Sequence, residues 1–399
     1  MSYLDFDLKL FSGGQQEYLV EVLHSPLSGR SEPFPLKLPE TEIADWRNRS
    51  KSKRINSQTT TALGRKLFEA LLPASIRTIW DKNEGAAGLQ DVLRLRLDIR
   101  APELADVPWE IIHDDRHFLA LTPQRSVVRY LYNCVAFPPV ARDAPLNVLL
   151  AISAPRDAPP LPAINHEVDR ICSGLTALQA AGKMGRVDIL RRMTLAGLQD
   201  QLRQRPYHIL HYMGHGAFEQ NQGYLILENE QGYARWVKAE TLKYFFGGSP
   251  LRLLFFNACQ TAINSQANSL LGVAHAALVA GLPAVVAMQD TIADQAAAAF
   301  AQEFYQALGE GRTLESCMTE GRRAILDRVS MESMSWAIPV LFSNAPGGLL
   351  WSAESTKSSK QPETERPIIV ERQQVFNCRV RDVIETQTNY YNKPDDEDR

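Results

Sequence analysis

A histidine and a cysteine in two short motifs are the residues of this chain best suited to covalent chemistry. His215 lies between two glycines, and Cys259 follows the segment Phe-Phe-Asn-Ala. A thiol with its ordinary pKa of about 8.5 is only a few per cent thiolate at pH 7, so it needs a neighbouring base. An imidazole can take that proton and later return it to the leaving amine of a cleaved peptide. The two residues therefore predict a cysteine protease, with Cys259 as nucleophile and His215 as general base and then general acid.

Each of these two residues comes just after an apolar run of strand length. The first run is 208–213 and the second is 253–256. Mostly apolar runs fit the middle of a parallel sheet, and ligands of open α/β sheets sit beyond the carboxyl ends of the strands. If the two strands are neighbours, His215 and Cys259 meet at one edge of the sheet. The flanking glycines predict that His215 lies on a loop just past its strand.

The tetrahedral intermediate of such a reaction needs hydrogen-bond donors for its oxyanion. The backbone N–H groups of Gly216 and Cys259 are the predicted donors, and the loss of one donor of this kind costs ~10² to 10³ in rate.

Each motif alone is a weak signal, because His-Gly is common and most cysteines are structural. The other cysteines are predicted to be structural or incidental: Cys134, Cys172, Cys317 and Cys378.

A zinc site is the competing chemical hypothesis, since His208, His211 and His215 have the spacing of ligands on a helix. In a strand, however, residues three apart point to opposite faces, and Pro206 with its apolar successors favours a strand. No glutamate follows the first histidine, so the His-Glu-x-x-His arrangement is not present. We therefore expect no metal and no other cofactor, and we expect His208 and His211 to be packing residues.

The chain divides into three predicted parts. Residues 1–138 are expected to form a small α+β part that opens with a strand hairpin, and 352–399 a polar linker and charged tail. Between them, strand and helix patterns alternate over 139–351, which is typical of a parallel sheet with helices on both faces. We predict a mostly parallel, six-stranded α/β sheet for that part. Its expected strands begin near Leu146, Val187, His208, Leu253, Ala284 and Ile338.

The composition argues against several functional classes. The 399 residues are 45% hydrophobic and carry a net charge of −3, which argues against nucleic acid as an obligatory partner. No apolar run approaches the roughly 20 residues that cross a bilayer, and the start lacks the regions of a signal peptide. Five cysteines, with no Cys-x-x-Cys, indicate free thiols in a reducing compartment. The sequence thus predicts a cytoplasmic protein without membrane insertion.

Two motifs together resemble the CHAT family of caspase-like peptidases, which is grouped with caspases, separases and gingipains. They are Tyr-Met-Gly-His-Gly at 212–216 and Phe-Asn-Ala-Cys-Gln-Thr at 256–261. The resemblance covers roughly 89–350 and implies a caspase-like sheet with a His215–Cys259 dyad that requires no third residue. The flanking segments that agree with the family are 93–97, 107–110, 118–121, 281–289 and 336–340.

The resemblance also carries expectations about partners. Members of the family are typically cytosolic proteases that stay inactive until a sensor or other regulatory protein releases them. Bacterial examples resemble antiviral defence effectors that cleave a gasdermin-like pore former, or another co-encoded protein, in regulated cell death. For this chain the resemblance therefore implies a protein substrate and a separate activating protein. The competing function is a catalytically silent caspase-like module that binds partners in a signalling complex.

Loops at the carboxyl edge of a caspase-like sheet line the primary specificity pocket, so the resemblance points to three further residues. Asp290 stands where the family often has an aromatic residue or a proline-containing turn, and it would meet a basic substrate residue. Asp157 would do the same from the loop after the first strand of the sheet. Arg156 would instead favour an acidic substrate residue, and the sequence leaves these alternatives open.

Overall fold

A computed structural model describes most of the chain between Tyr3 and Ser352. The described residues are 3–14, 17–38, 57–88, 91–141, 144–220, 222–258, 269–290, 292–329 and 334–352. They belong to one compact unit, Met1–Ser355. The predicted tail beyond Ser352 lies outside the described residues, and so does Cys259.

Strands and helices alternate through most of the described residues. The strands, in chain order, are β1 (Tyr3–Gly14), β2 (Glu17–His24), β3 (Phe34–Pro35), β4 (Val92–Ile99), β5 (Arg125–Arg129), β6 (Leu146–Ile152), β7 (Met184–Leu190), β8 (Ile209–Glu219), β9 (Gln222–Glu228), β10 (Ala234–Lys238), β11 (Leu253–Ala258), β12 (Ala284–Met288) and β13 (Pro339–Ser343). The helices are α1 (Ser57–Leu71), α2 (Ala74–Ala86), α3 (Pro102–Ala105), α4 (Ile164–Ala180), α5 (Leu195–Gln204), α6 (Ala239–Phe246), α7 (Ser269–Val279), α8 (Asp294–Gly309) and α9 (Leu314–Val329). Short 3₁₀ turns cover Trp109–Ile111, Leu119–Leu121, Met334–Ala337 and Pro346–Gly348.

Local chemistry explains several of these bounds. Helix α1 ends two residues before Pro73, which lacks an N–H group and cannot continue it. The hydroxyl of Thr194 accepts a hydrogen bond from the backbone N–H of Gly197 at 2.9 Å and caps α5. After α7 the chain turns at Gly281, whose φ of 96° favours glycine. Each of these bounds therefore follows from the chemistry of one residue in the sequence.

The strands form one sheet, and most neighbours in it are parallel. Its order is β7-β6-β8-β11-β12-β13-β5-β4-β1-β2-β3, with β9 paired to the second half of β8 and β10 paired to β9. From β7 to β12 all strands are parallel, and β13 is antiparallel to β12. β5, β4 and β1 then run parallel to β13, and β2 and β3 close the far end as antiparallel neighbours.

Two layers of helices cover the two faces of this sheet. Helices α4, α8 and α9 bury their apolar sides against one face, and α9 reaches Arg94 of β4 through Glu315, whereas α1 and α2 pack against the opposite side of β4 and β1, the side of Leu95 and Phe6. Helices α5, α6 and α7 cover the other face of the strands from β6 to β13. Because both faces are covered, β12 and residues 253–256 of β11 are apolar throughout.

The predicted fold class is confirmed, and the sheet is larger than predicted. All six strands expected over 139–351 are present as neighbours, namely β6, β7, β8, β11, β12 and β13. The sheet then continues into the first third of the chain, since Phe342 of β13 pairs with Arg129 of β5. The domain boundary placed at residue 138 stays a prediction. In the part of the chain that the structure describes, no helix has the length and apolar character needed to span a bilayer.

Candidate active site

The carboxyl ends of β6, β8, β11 and β12 meet at one edge of the sheet, because these strands are parallel neighbours. β8 pairs with β11 up to Gly214 and Ala258, which are register partners. At His215, β8 leaves that ladder and pairs with β9, beginning at Ile226. His215 is therefore the first residue of β8 beyond the parallel sheet.

His215 lies inside a strand, so the prediction of a loop at this position was wrong. β8 continues to Glu219, and neither glycine beside His215 has a positive φ angle. The need for glycine at position 214 is one of space. A Cβ atom on Gly214 would lie 2.4 Å from the hydroxyl oxygen of Tyr212 and 3.0 Å from the carbonyl oxygen of Ser153. A larger residue at position 214 would displace one of these groups.

Cys259 lies outside the described residues. It follows Ala258 in the sequence as His215 follows Gly214, and Ala258 and Gly214 are paired across the two strands. The dyad itself and the oxyanion donors assigned to Gly216 and Cys259 stay predictions. What the structure describes is the setting of His215.

The imidazole of His215 is held by a backbone carbonyl from the loop between β6 and α4. His215 is only 2% exposed, and its Nε2 lies 2.9 Å from the carbonyl oxygen of Pro159. A carbonyl oxygen only accepts, so Nε2 carries a proton and donates it. In the neutral ring the lone pair is then on Nδ1. The sequence did not signal this contact, because every residue type has a backbone carbonyl.

The hydroxyl of Tyr212 holds the backbone of His215. It is fully buried and accepts a hydrogen bond from the His215 N–H at 3.2 Å. It also lies 2.9 Å from the carbonyl oxygen of His215 and 2.8 Å from that of Ile226, and shares its one proton between them. Burial raises the pKa of the Tyr212 hydroxyl well above its usual value, so this proton stays in place.

We expect Tyr212→Phe to lower the free energy of unfolding by about 2 kcal/mol or more, because three buried backbone groups lose a partner. Urea unfolding measures this loss. Tyr244→Phe is the matched control. Tyr244 is 78% exposed, so its hydroxyl is in contact with water and its removal should change the free energy of unfolding little. Equal unfolding free energies for the two variants would contradict the role given to Tyr212.

A buried polar network lies beneath the carboxyl end of β11. The side-chain amide of Asn257 donates to Oε1 of Glu167, in the first turns of α4. The same carboxylate oxygen lies 3.7 Å from Nε2 of His211 on β8. On its other side, Nδ1 of His211 is 2.9 Å from the hydroxyl of Tyr305 on α8. The network thus ties α4 and α8 to the two strands that end at the candidate site.

The three histidines considered as zinc ligands have different neighbours. His208 accepts a hydrogen bond from the N–H of Asn147 at 3.0 Å. His211 is fully buried, and its ring stacks on Phe255 with 4.3 Å between centroids. His215 bonds to the Pro159 loop. Among the described residues, no group of three or more His, Cys, Asp and Glu side chains could hold a metal ion.

Burial lowers the pKa of His211, although Glu167 opposes this shift. The unfolded chain therefore binds more protons than the folded one below the ordinary pKa of 6.5, and stability falls as the pH falls. We expect His211 to lower the free energy of unfolding as the pH falls from 7 to 5, by no more than about 1.4 kcal/mol per pH unit. Urea unfolding at pH 7, 6 and 5 measures it, and His211→Gln should reduce the slope. The same slope in both proteins would overturn this expectation.

The predicted pocket residues lie at the same edge of the sheet. In the loop after β6, the carboxylate of Asp157 accepts a hydrogen bond from the N–H of Ala234 at 2.7 Å. The N–H of Arg156 donates to the carbonyl of Gly232 at 2.9 Å, so this loop is fastened to the β9–β10 hairpin. Asp290 is the second residue after β12 and is half-buried. Their contacts with a substrate stay predictions.

Solved structures with a similar fold include three of low sequence identity to this chain. The yeast (Saccharomyces cerevisiae) separase–securin complex has 11% identity and a TM-score of 0.49, over 85% of this chain and 30% of that chain. The Arg-specific cysteine proteinase gingipain R of Porphyromonas gingivalis has 14% identity and a TM-score of 0.44, over 78% and 75%. The Drosophila initiator caspase Dronc has 10% identity and a TM-score of 0.33, over 54% and 84%.

Sequence comparison identifies the family. No curated protein matches the chain. Residues 61–344, however, match the sequence model of the CHAT domain. This range is more than half of the 399 residues and contains both motifs from which the family was predicted. The chain therefore belongs to the CHAT domain family.

Proposed function

We propose that the chain is a cysteine endopeptidase with a dyad of His215 and Cys259. The observation that carries the proposal is the register of β8 with β11, whose last pair directly precedes these two residues in the sequence. Neighbouring strands are about 4.8 Å apart, a spacing compatible with proton transfer between side chains that follow such a pair. Membership of the CHAT domain family adds independent support.

The proposed reaction has two halves. Nδ1 of His215 takes the proton of the Cys259 thiol, and the thiolate attacks the carbonyl carbon of the peptide bond. The tetrahedral intermediate collapses, the C–N bond breaks, and the imidazolium returns the proton to the leaving amine. Water then attacks the thioester, with His215 again as base, and releases the acid and the free thiol. The N–H groups of Gly216 and Cys259 are the proposed oxyanion donors.

The hydrogen bond from His215 to Pro159 supports this role in two ways. It leaves Nδ1, and not Nε2, as the nitrogen that accepts a proton in the neutral ring. When Nδ1 is protonated, the positive charge spreads over the ring, and the bond from Nε2–H to the carbonyl becomes charge-assisted and stronger. The carbonyl therefore does for the imidazolium what a carboxylate does in a Ser-His-Asp triad, without a buried negative charge.

The narrower role that we propose is the cleavage of a partner protein, on activation by a separate sensor, in bacterial antiviral defence or regulated cell death. Its support is the family resemblance of the motifs. The partners proposed are a gasdermin-like or other co-encoded substrate and a regulatory protein. Full activity of the purified chain without any other protein would count against the activation step.

Digestion of a proteome-derived peptide library by the purified chain, alone and with its co-encoded proteins, tests the proposed function. We expect new peptide ends that iodoacetamide prevents and EDTA does not, since the nucleophile is a thiol and not a metal-bound water. Mass spectrometry should find Cys259 alkylated first, because a base beside it raises its thiolate fraction. If nothing is cut while partners are still captured, the chain is an interaction module instead. Inhibition by EDTA would favour a zinc hydrolase.

A further inference from the structure

The side chain of Gln289, directly after β12, is held from three directions. Its amide oxygen accepts a hydrogen bond from Nη2 of Arg129 at 3.0 Å. Its amide nitrogen donates to Oε2 of Glu110 at 3.2 Å and to the carbonyl oxygen of Ala337 at 2.9 Å. Its backbone N–H donates to the carbonyl of Ile338 at 3.0 Å. Gln289 therefore leaves β12 in a direction that four hydrogen bonds determine.

Two of these partners form a buried ion pair from the first third of the chain. Glu110 lies in the 3₁₀ turn Trp109–Ile111 and is 1% exposed, and Arg129 ends β5 and is 2% exposed. The guanidinium donates to both carboxylate oxygens, at 3.3 and 3.1 Å, and to the carbonyl of Ala105 at 2.7 Å. A bidentate pair of this kind is geometrically rigid. It presents one donor and one acceptor to the amide of Gln289.

The ion pair of Glu110 and Arg129 affects the candidate active site because Gln289, which it holds, lies at the same edge of the sheet. β12 is parallel to β11, so its carboxyl end lies at the edge where β8 and β11 end. The residue after Gln289 is Asp290, which is predicted to line the substrate pocket. A shift of the Gln289 side chain would change the direction in which the chain crosses that edge.

On this geometry, and on the proposed peptidase function, we infer that Gln289 is a positioning residue for substrate specificity, held by Glu110 and Arg129. The first third of the chain thus builds one wall of the substrate cleft through these contacts. The substrate side chain next to the cleaved bond is the part of the substrate that this wall selects.

The variant Gln289→Met tests the inference, because it keeps the length of the side chain and removes its three hydrogen bonds. Gln289→Asn keeps the amide group on a side chain shorter by one carbon, so it should give an intermediate result and serves if the first variant folds poorly. Gln302→Met is the matched control, since Gln302 on α8 accepts a bond from Arg170 at 2.9 Å away from this edge.

We expect Gln289→Met to reduce the preference for the best residue before the cleaved bond about 10-fold in kcat/KM over the next best, which is about 1.4 kcal/mol. Hydrogen exchange in a peptide covering 284–290 should become about 10-fold faster, and Gln302→Met should change neither quantity. Unchanged preference, or unchanged exchange, would overturn the inference. If the wild type cleaves nothing, the proposed peptidase function is refuted separately. The exchange measurement alone then decides whether the hydrogen bonds to Glu110 and Arg129 hold Gln289 in place.

Discussion

Cys259→Ala is expected to lower cleavage by at least ~10⁴-fold, to the limit of detection, while the protein stays folded. Without the sulfur no thioester can form, and the histidine and oxyanion donors alone contribute only a residual acceleration. His215→Gln should lose nearly as much, because the thiol then has no base. The double variant should be no worse than either single one, since the two residues act as a unit.

The measurement is kcat/KM on the best peptide from the library, combined with thermal unfolding of each variant. The matched control is Cys134→Ala, which makes the same chemical change at a half-buried free cysteine outside the candidate site. We expect the control to keep full activity and Cys259→Ala to keep a melting temperature close to that of the wild type. Cleavage by Cys259→Ala at the wild-type rate would refute the dyad.

The sequence predicted the part of the site that follows from strand order. The apolar runs before His215 and Cys259 indicated central parallel strands, and neighbouring parallel strands end at one edge whatever their loops do. β8 and β11 are such neighbours, with Phe255 opposite His211 in the register. Period and apolar character carry this information, because most strands that are buried on both faces are apolar along nearly their whole length.

The contacts around His215 could not be predicted in the same way. Pro159 acts through a carbonyl that every residue type has, so no residue type marks the position. Glu167 is an ordinary acidic residue on a helix until the fold brings it against Asn257. The glycine at position 214 is needed for space and not for its backbone angle, so a prediction from the backbone freedom of glycine fails there.

The charge pattern of β4 is the reason why the sequence did not predict that the sheet continues into the first third of the chain. Leucines alternate there with Arg94, Arg96 and Asp98, a pattern that usually means one face in water. In the structure Arg94 and Asp98 are each 1% exposed, since Glu315 of α9 pairs with Arg94 and Arg100 pairs with Asp98. Alternation records the two faces of a strand but not whether the polar face meets solvent or a charged partner.

Arg94→Met should therefore destabilise the fold by about 3–5 kcal/mol, the second large effect that we expect. Arg94 donates two hydrogen bonds to Asp5 of β1, at 2.7 and 2.9 Å, and one to Glu315 of α9 at 2.8 Å. The side chain of Glu315 is only 3% exposed, so without Arg94 a carboxylate is buried with no cation to balance it. The control Arg77→Met breaks an exposed pair with Asp81 and should cost less than about 1 kcal/mol.

The difference in unfolding free energy between Arg94→Met and the wild type depends on pH if the variant loses a charge pair, and not if it loses only packing. Burial works against the ionised form of Asp5, yet the hydrogen bonds and charge of Arg94 outweigh burial and lower the pKa of Asp5 below its ordinary 3.8. The wild type therefore keeps this stabilisation above that pH and loses it as the pH falls through the lowered pKa. In Arg94→Met, Asp5 lacks this cation and protonates more readily, so acid should narrow the difference in unfolding free energy between the variant and the wild type. Urea unfolding at pH 7 and at pH 4 measures this difference. A difference that is the same at both values would mean that Arg94 acts through its packing, because only a charge pair is weakened when its carboxylates take up protons.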